Sequence, residues 1–351
     1  MSENKGQLKF GIVGCGMISG THARAIADSE TGMLTAAHSR TEANLRSFGE
    51  KFDVEPYTDY EQFLAEADID GVVICTPTGT HLDYGKQAAE AGKHLIVEKP
   101  IEVTLERGQQ LIDSCRSSNV KLAVIYQNRF IDDVQRMKFL LDSGDLGHIV
   151  MVDASVKWFR DQHYYSSADW RGTLALDGGG AVINQAVHTV DLMLWLCGEV
   201  ESVQAYKGTL THQNMEGEDN AVAVMRFRNG ALGVFRASTS TIPAQNRKIE
   251  VHAEHGTATL DGGMFTVSYG GTQEFGKVVG SKESGTGAAD PMEGITMDNH
   301  RKQYEQILSA LLNDDQPAVS GADSLKSLAF VRALYQSAKR QEEVYLNLLE
   351  G

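Results

Sequence analysis

The chain has 351 residues, 42% of them hydrophobic, enough for two ordinary domains that each bury a core. Lys and Arg number 32 against 47 for Asp and Glu, and the formal charge of -15 disfavours nucleic acid and anionic membranes as partners, though not an anionic small substrate. No signal-type segment or bilayer-length apolar run is present, and Cys15, Cys75, Cys115 and Cys197 show neither paired nor metal-type spacing, so free thiols in a soluble, cytoplasmic protein are expected.

Residues 8–13 form a short apolar run typical of a buried strand. It leads into Gly14-Cys15-Gly16-Met17-Ile18-Ser19-Gly20, after which residues 21–26 read as helix. Strand, glycine turn and helix in that order is the context a dinucleotide fingerprint requires. Gly14 permits the tight turn, and Gly16 lets the backbone approach a pyrophosphate at the helix N-terminus. Ser19 stands where Gly or Ala is usual, and the plain alternative is an ordinary strand–helix turn. A second strand, 34–38, runs into Ser39-Arg40-Thr41. An NAD-specific fold places an acidic residue here to hold the ribose 2′-hydroxyl. Donors and a cation suit a 2′-phosphate instead and favour NADP; alternatively Arg40 stacks on adenine and admits either cofactor.

The strand 71–75 ends in Thr76-Pro77-Thr78-Gly79-Thr80-His81, where a nicotinamide riboside would run beyond the carboxyl ends of the strands. A helix over 82–92 precedes the strand 94–97, which ends in Glu98-Lys99-Pro100. Pro100 fixes the backbone there, and Glu98 can pair with the ammonium or a ribose. A helix over 102–118 and a strand over 121–126 follow, ending in Gln127-Asn128-Arg129-Phe130. This alternation describes a parallel, doubly wound sheet.

Residues 129–145 look helical and 149–158 alternate as a half-buried strand. From Lys157 to Arg171 the chain collects Lys157, Trp158, Arg160, Tyr164, Tyr165, Trp170 and Arg171 with little periodicity. Such a segment is either a surface loop held by aromatic packing or a substrate lid, with rings on the apolar faces of a pyranose and cations on a carboxylate or phosphate. After Gly178-Gly179-Gly180 comes an apolar helix whose Asn184, His188, Asp191 and Trp195 share one face. A histidine on so buried a helix is either structural, bonded to a carboxylate, or functional. Strands over 200–211, 219–228, 230–238, 248–253, 256–260 and 265–269 follow, with a hairpin signal at 226–230. Residues 281–294 read as a flexible loop, and helices over 298–313 and 322–340 close the chain. His252, His255 and His300 read as structural, and no metal-ligand cluster is evident.

Taken together, Gly14-x-Gly16 with His22, the Cys75-Thr76-Pro77-Thr78 loop with His81, Glu98-Lys99-Pro100, and Gly178-Gly-Gly-x-x-x-Asn184-x-x-x-His188-x-x-Asp191 resemble the Gfo/Idh/MocA oxidoreductases. The C-terminal segments 300–303, 319–323 and 333–338 extend that resemblance over nearly the whole chain. It implies an α/β protein: an N-terminal Rossmann domain with a doubly wound parallel sheet over residues 1–128, and a C-terminal α/β domain with a large open, mostly antiparallel sheet over 129–351. The second domain would bind substrate and pack against another subunit in a homodimer or homotetramer. The resemblance implies NAD or NADP held by Gly14, Gly16, Met17, Ile18, Ser39, Arg40, Cys75, Thr76, Pro77, Thr78, His81, Glu98, Lys99, Gln127, Trp170 and Arg171. It makes Lys99 and His188 the catalytic pair, and places Lys99, Arg129, Lys157, Arg160, Tyr165, Arg171, Asn184 and His188 around the substrate.

Many members of the family carry Asp at the position of Asn184, and Asn cannot act as a general base. The segments 157–165 and Trp170-Arg171-Gly172-Thr173 are similar to the branch containing UDP-N-acetyl-glucosaminuronate 3-dehydrogenases, which also has Asn there. The activity implied is hydride transfer between a secondary alcohol of a sugar or sugar derivative, nucleotide-linked and acidic sugars included, and nicotinamide, with either Lys99 or His188 taking the hydroxyl proton. A reductase or redox-type glycosidase of the same fold, or a cofactor-binding sensor without catalysis, are the alternatives.

Overall fold

Phe10, Ile12, Val72, Val73, Ile96 and Val124 are all completely buried, as strands covered by helices on both faces must be. They belong to β1 (Leu8–Val13), β4 (Gly71–Ile74), β5 (His94–Val97) and β6 (Leu122–Val124), which join β2 (Gly32–His38) and β3 (Glu55–Tyr57) in one parallel sheet. The spatial order is β3-β2-β1-β4-β5-β6, so the winding direction reverses between β1 and β4. In such sheets, ligands bind beyond the strand ends at that reversal. Helices Ser19–Ala27, Glu42–Phe52, Tyr60–Glu66, His81–Glu90 and Leu105–Ser117 connect the strands. The last begins three residues later than the periodicity of 102–118 predicts, because Thr104 caps it by accepting from the Arg107 amide at 3.2 Å.

The computed structural model describes residues 6–270, 279–280 and 297–346, in two units. The first comprises 1–127 and 297–325, the second 128–296 and 326–351. The units divide at residue 128, and residues 297–325 fall with the first unit although they lie beyond 129 in sequence. Helix Met297–Leu312 belongs to the first unit. Its Tyr304, Ile307 and Leu308 lie in one buried cluster with Phe10, Ile12, Ala25 and Ile26, and Gln303 Nε2 donates to the Val124 carbonyl at 2.8 Å.

The second unit is built on nine strands in the order β14-β13-β12-β11-β7-β10-β9-β8-β15. These are β7 (Ile149–Lys157), β8 (Val200–Gly208), β9 (Asn220–Phe227), β10 (Leu232–Ser238), β11 (Lys248–Ala253), β12 (Gly256–Asp261), β13 (Met264–Tyr269), β14 (Val279–Gly280) and β15 (Val344–Tyr345). Every pairing is antiparallel except that of β7 with β10. Along β9, Ala221, Ala223, Met225 and Phe227 are buried while Val222 and Val224 are exposed, the alternation of a sheet with one covered face. The hairpin expected at 226–230 joins β9 to β10, with Gly230 at φ +89. The helix expected over 129–145 is a tight turn, Gln127–Phe130, followed by the α-helix Asp132–Ser143. The loop expected over 281–294 lies outside the described residues, and no described helix is long and apolar enough to cross a membrane.

Phe235 is completely buried, its ring edge-on to Phe330 at 5.6 Å. Phe235→Ala should therefore cost about 3–5 kcal/mol through lost transfer energy and a residual cavity. A urea unfolding midpoint shifted by less than a third of that would show that this contact is not part of the core.

Candidate active site

At the turn after β1, Gly14 has φ +94, and a Cβ there would lie 2.9 Å from the Cys75 carbonyl oxygen. Only glycine fits, because the turn is left-handed and presses on the start of the β4 loop. Gly16 is exposed, with nothing within 4 Å of where its Cβ would stand. That open backbone at the start of Ser19–Ala27 is what a pyrophosphate needs. Ser19, in the third glycine position, donates through Oγ to the Gly16 carbonyl at 2.7 Å and so braces the turn. Met17 is 63% exposed and Ile18 half-buried beside it.

Two further features fit a dinucleotide. Gln127 is buried, and its Oε1 has no hydrogen-bond partner among the described residues. An acceptor left unmet in the interior is costly unless a ligand satisfies it, and a carboxamide N–H would. Beyond β2, exposed Arg40 lines a cleft of ≈ 380 Å³ together with Asp59, Glu61, Asp83, Tyr60, Thr80 and Tyr84. Three carboxylates around one guanidinium oppose a doubly charged phosphate, so the cleft does not carry the NADP preference expected from Ser39 and Arg40. The Ser39 hydroxyl accepts from the Thr41 amide.

The β4 loop, Cys75 to Thr80, is tied internally: the Thr80 hydroxyl donates to Thr76 Oγ1 at 2.9 Å and to the Pro77 carbonyl at 2.7 Å. Thr78 is buried while Thr76 and Pro77 are half-buried. Burial pushes the Cys75 thiol well above its ordinary pKa, so it offers no thiolate.

His81 and Glu98, expected to touch cofactor, are both buried and bonded within the protein. The buried His81 ring lies among three carbonyls, with Thr76 O 3.0 Å from Nε2 and Pro100 O and Ile101 O 3.1 and 3.2 Å from Nδ1. Burial lowers its pKa, against the pull of Glu102 and these carbonyls. It joins the cofactor loop to the segment after Lys99 and is a positioning group. Glu98 Oε1 lies 2.8 Å from His22 Nε2, Oε2 accepts from the Lys99 amide at 3.0 Å, and His22 Nδ1 lies 2.8 Å from the Tyr304 hydroxyl. Burial opposes the charge on Glu98, but the His22 bond and the charges of His22, Lys99 and His300 outweigh it and take the carboxyl down to about 2. This inward-facing network fixes the backbone from which half-buried Lys99 projects.

In the second unit, the segment after the three glycines departs from the single α-helix expected. Ala181–Ala186 is a π-helical turn, and the α-helix runs only over Val187–Cys197. π-Turns are rare and concentrate at functional sites. Asn184 lies in that turn, before the α-helix that carries His188, Asp191 and Trp195. Asn184 Nδ2 donates to Asp177, and its Oδ1 accepts from Gln185. Asp191 instead meets Arg129 in a buried fork of 2.8 and 2.6 Å, with Trp195 5.4 Å below the guanidinium. Arg129 was expected at the substrate, but this bidentate pair commits it to holding the helix. His188 lies half-buried in the first turn of the α-helix.

Tyr165, expected at the substrate, is buried, its hydroxyl 2.8 Å from Thr239 Oγ1. Its neighbour Tyr164 takes the place beside the site, accepting from Gln185 Nε2 at 2.8 Å. Arg160 Nε donates to Gln185 Oε1 at 3.1 Å, and the Arg171 guanidinium lies 4.1 Å over Tyr164 and 5.1 Å from Trp170. Arg171 Nε is buried with no hydrogen-bond partner among the described residues. Lys157 stands half-buried at the end of β7, opposite Ser238. Local pattern gives no signal for Asp177 and Gln185, since only the fold brings Tyr164, Asp177, Asn184 and Gln185 together.

The fold and the site define an NAD-binding oxidoreductase. Residues 8–126 match the oxidoreductase family's NAD-binding Rossmann fold and residues 134–259 the GFO/IDH/MocA C-terminal domain; the chain belongs to the Gfo/Idh/MocA family. The WlbA dehydrogenase from Bordetella pertussis, solved in complex with NADH and UDP-GlcNAcA, superposes with a TM-score of 0.86 at 32% identity over 98% of this chain and 99% of that one. Myo-inositol 2-dehydrogenase of Thermotoga maritima is 25% identical over 98% of this chain and 100% of its own length. Levoglucosan dehydrogenase of Pseudarthrobacter phenanthrenivorans is 27% identical over 72% of this chain and 73% of its own.

Because folding lowers the Glu98 pKa from 4.5 to about 2, the native state favours its ionised form. That contribution is complete above the unfolded value and is lost as pH falls through the folded one. Glu98→Gln should therefore destabilise the protein more at neutral pH than at pH ~3 in urea unfolding. An equal loss at both pH values would remove the ion-pair account.

Proposed function

We propose that this protein is a dehydrogenase that moves a hydride between a secondary alcohol of an acidic, nucleotide-linked sugar and NAD, acting in the cytoplasm as a homo-oligomer. The observation that carries the acidic-sugar reading is Arg171, whose buried Nε has no acceptor among the described residues while Tyr164 and Trp170 flank its guanidinium. A planar cation with a donor left unmet suits a carboxylate or phosphate, and rings beside it suit a pyranose face. The likeness to a dehydrogenase solved with UDP-GlcNAcA supports the same substrate class. Four free thiols suit a reducing compartment. Exposed Tyr206, Val222, Val224 and Leu232 on the open sheet suit a second copy of the chain.

Bound nicotinamide supplies the hydride acceptor. Lys99 takes the hydroxyl proton in oxidation or polarises the carbonyl in reverse, and His188 is the second group able to move that proton. Asn184, oriented by Asp177 and Gln185, holds a substrate hydroxyl as a hydrogen-bonding group and not as a base.

Two measurements test this. NAD reduction is expected with a UDP-linked N-acetyl-hexosaminuronic acid and not with its uncharged hexosamine counterpart, and Arg171→Ala should raise KM for the acid about tenfold or more. Turnover of neutral sugars alone would sink the acidic-sugar reading. Lys99→Met should retain NADH binding and lose about 10²-fold or more in kcat, and wild-type turnover in that variant would overturn its role.

A further inference from the structure

The π-turn over Ala181–Ala186 begins without a side-chain cap of its own. Its first two amides are nevertheless both met by one remote residue. Ala181 N–H donates to the Glu218 carbonyl at 2.7 Å, and Val182 N–H donates to Glu218 Oε1 at 2.8 Å. The same Oε1 accepts from the Tyr335 hydroxyl at 2.9 Å. Glu218 is 1% exposed, and its Oε2 is buried with no hydrogen-bond partner among the described residues. The approach is close enough that a Cβ on Gly180 would lie 2.0 Å from the Glu218 carbonyl oxygen. Burial pushes the Glu218 carboxyl pKa up, against the pull of the Val182 amide, Tyr335 and Lys207.

We propose that Glu218, clamped by Tyr335, is the positioning residue that sets the wide turn carrying Asn184 and, one residue beyond it, the helix start carrying His188. The inference rests on the reading of His188 and Asn184 as active-site groups. Glu218 works through one acceptor oxygen, so its amide replacement preserves the function. Removing the side-chain acceptor frees the Val182 amide, while Ala181 keeps the Glu218 carbonyl, and the turn can then relax toward α-geometry and rotate Asn184.

Hydrogen exchange over residues 181–188 and steady-state kinetics test this in parallel. Glu218→Ala should speed exchange in that peptide by about tenfold or more and lower kcat by about 10–100-fold, the cost of a small misplacement. NADH affinity should hold within about twofold, since nicotinamide-site residues of the first unit are untouched. Glu218→Gln should recover most of both properties, and Tyr335→Phe should fall between. If Glu218→Ala does not fold, Tyr335→Phe carries the same comparison. Unchanged exchange in these variants, faster exchange with wild-type kcat, or failure of Glu218→Gln to rescue would each overturn the proposal. Faster exchange in a protein whose wild type turns over no sugar would support the coupling while removing the dehydrogenase reading.

Discussion

Buried backbone amides need acceptors, and around the candidate site several of them are glutamate side chains, some adjacent in sequence and some brought from farther along the chain. Glu98 takes the Lys99 amide, Glu102 takes those of Leu82 and Val103, and Glu218 takes that of Val182. Each lies at a place where the chain turns sharply next to a predicted functional residue. An uncompensated amide or carboxylate at any of them would cost on the order of 1–3 kcal/mol. The requirement to satisfy these groups therefore decides the local backbone more strongly than helix propensity does.

The two units use this principle differently. In the first, Glu98 is held as a carboxylate by His22, which in turn leans on Tyr304 of a helix far along the chain. In the second, burial raises Glu218, and its bonds to an amide and a phenol go to one oxygen. One arrangement depends on charge and the other on acceptor geometry. Their responses to pH and to Glu→Gln substitution are expected to differ for that reason.

The cations of the segment 157–171 divide in the same way. Arg160 is bonded to Gln185, whereas Arg171, beside two aromatic rings, has a buried donor with no acceptor among the described residues. Composition put both in one stretch, but only burial and partners separate a brace from a candidate ligand group. Arg129 makes the contrast sharper: an arginine at a strand end reads as substrate-binding, yet its fork is filled by Asp191.

Much was legible from local pattern. The Gly14-x-Gly16 turn between a strand and a helix, the Glu98-Lys99-Pro100 strand end and the alternation in β9 follow from short-range sterics and period, so they survive in the folded protein with small shifts of boundary. Tertiary structure alone decided the rest. The return of Met297–Leu312 to the first unit depends on Tyr304 and Ile307 finding Phe10 and Ile26 across almost the whole chain. The π-turn exists where Glu218 and Tyr335 reach Gly180, a contact between residues with no local relation in sequence. Spacing assigns Asn184, His188 and Asp191 to one helix face because it takes 3.6 residues per turn throughout; in the folded protein Ala181–Ala186 is a wider π-turn whose first amides meet Glu218 far along the chain, a contact that local period does not encode.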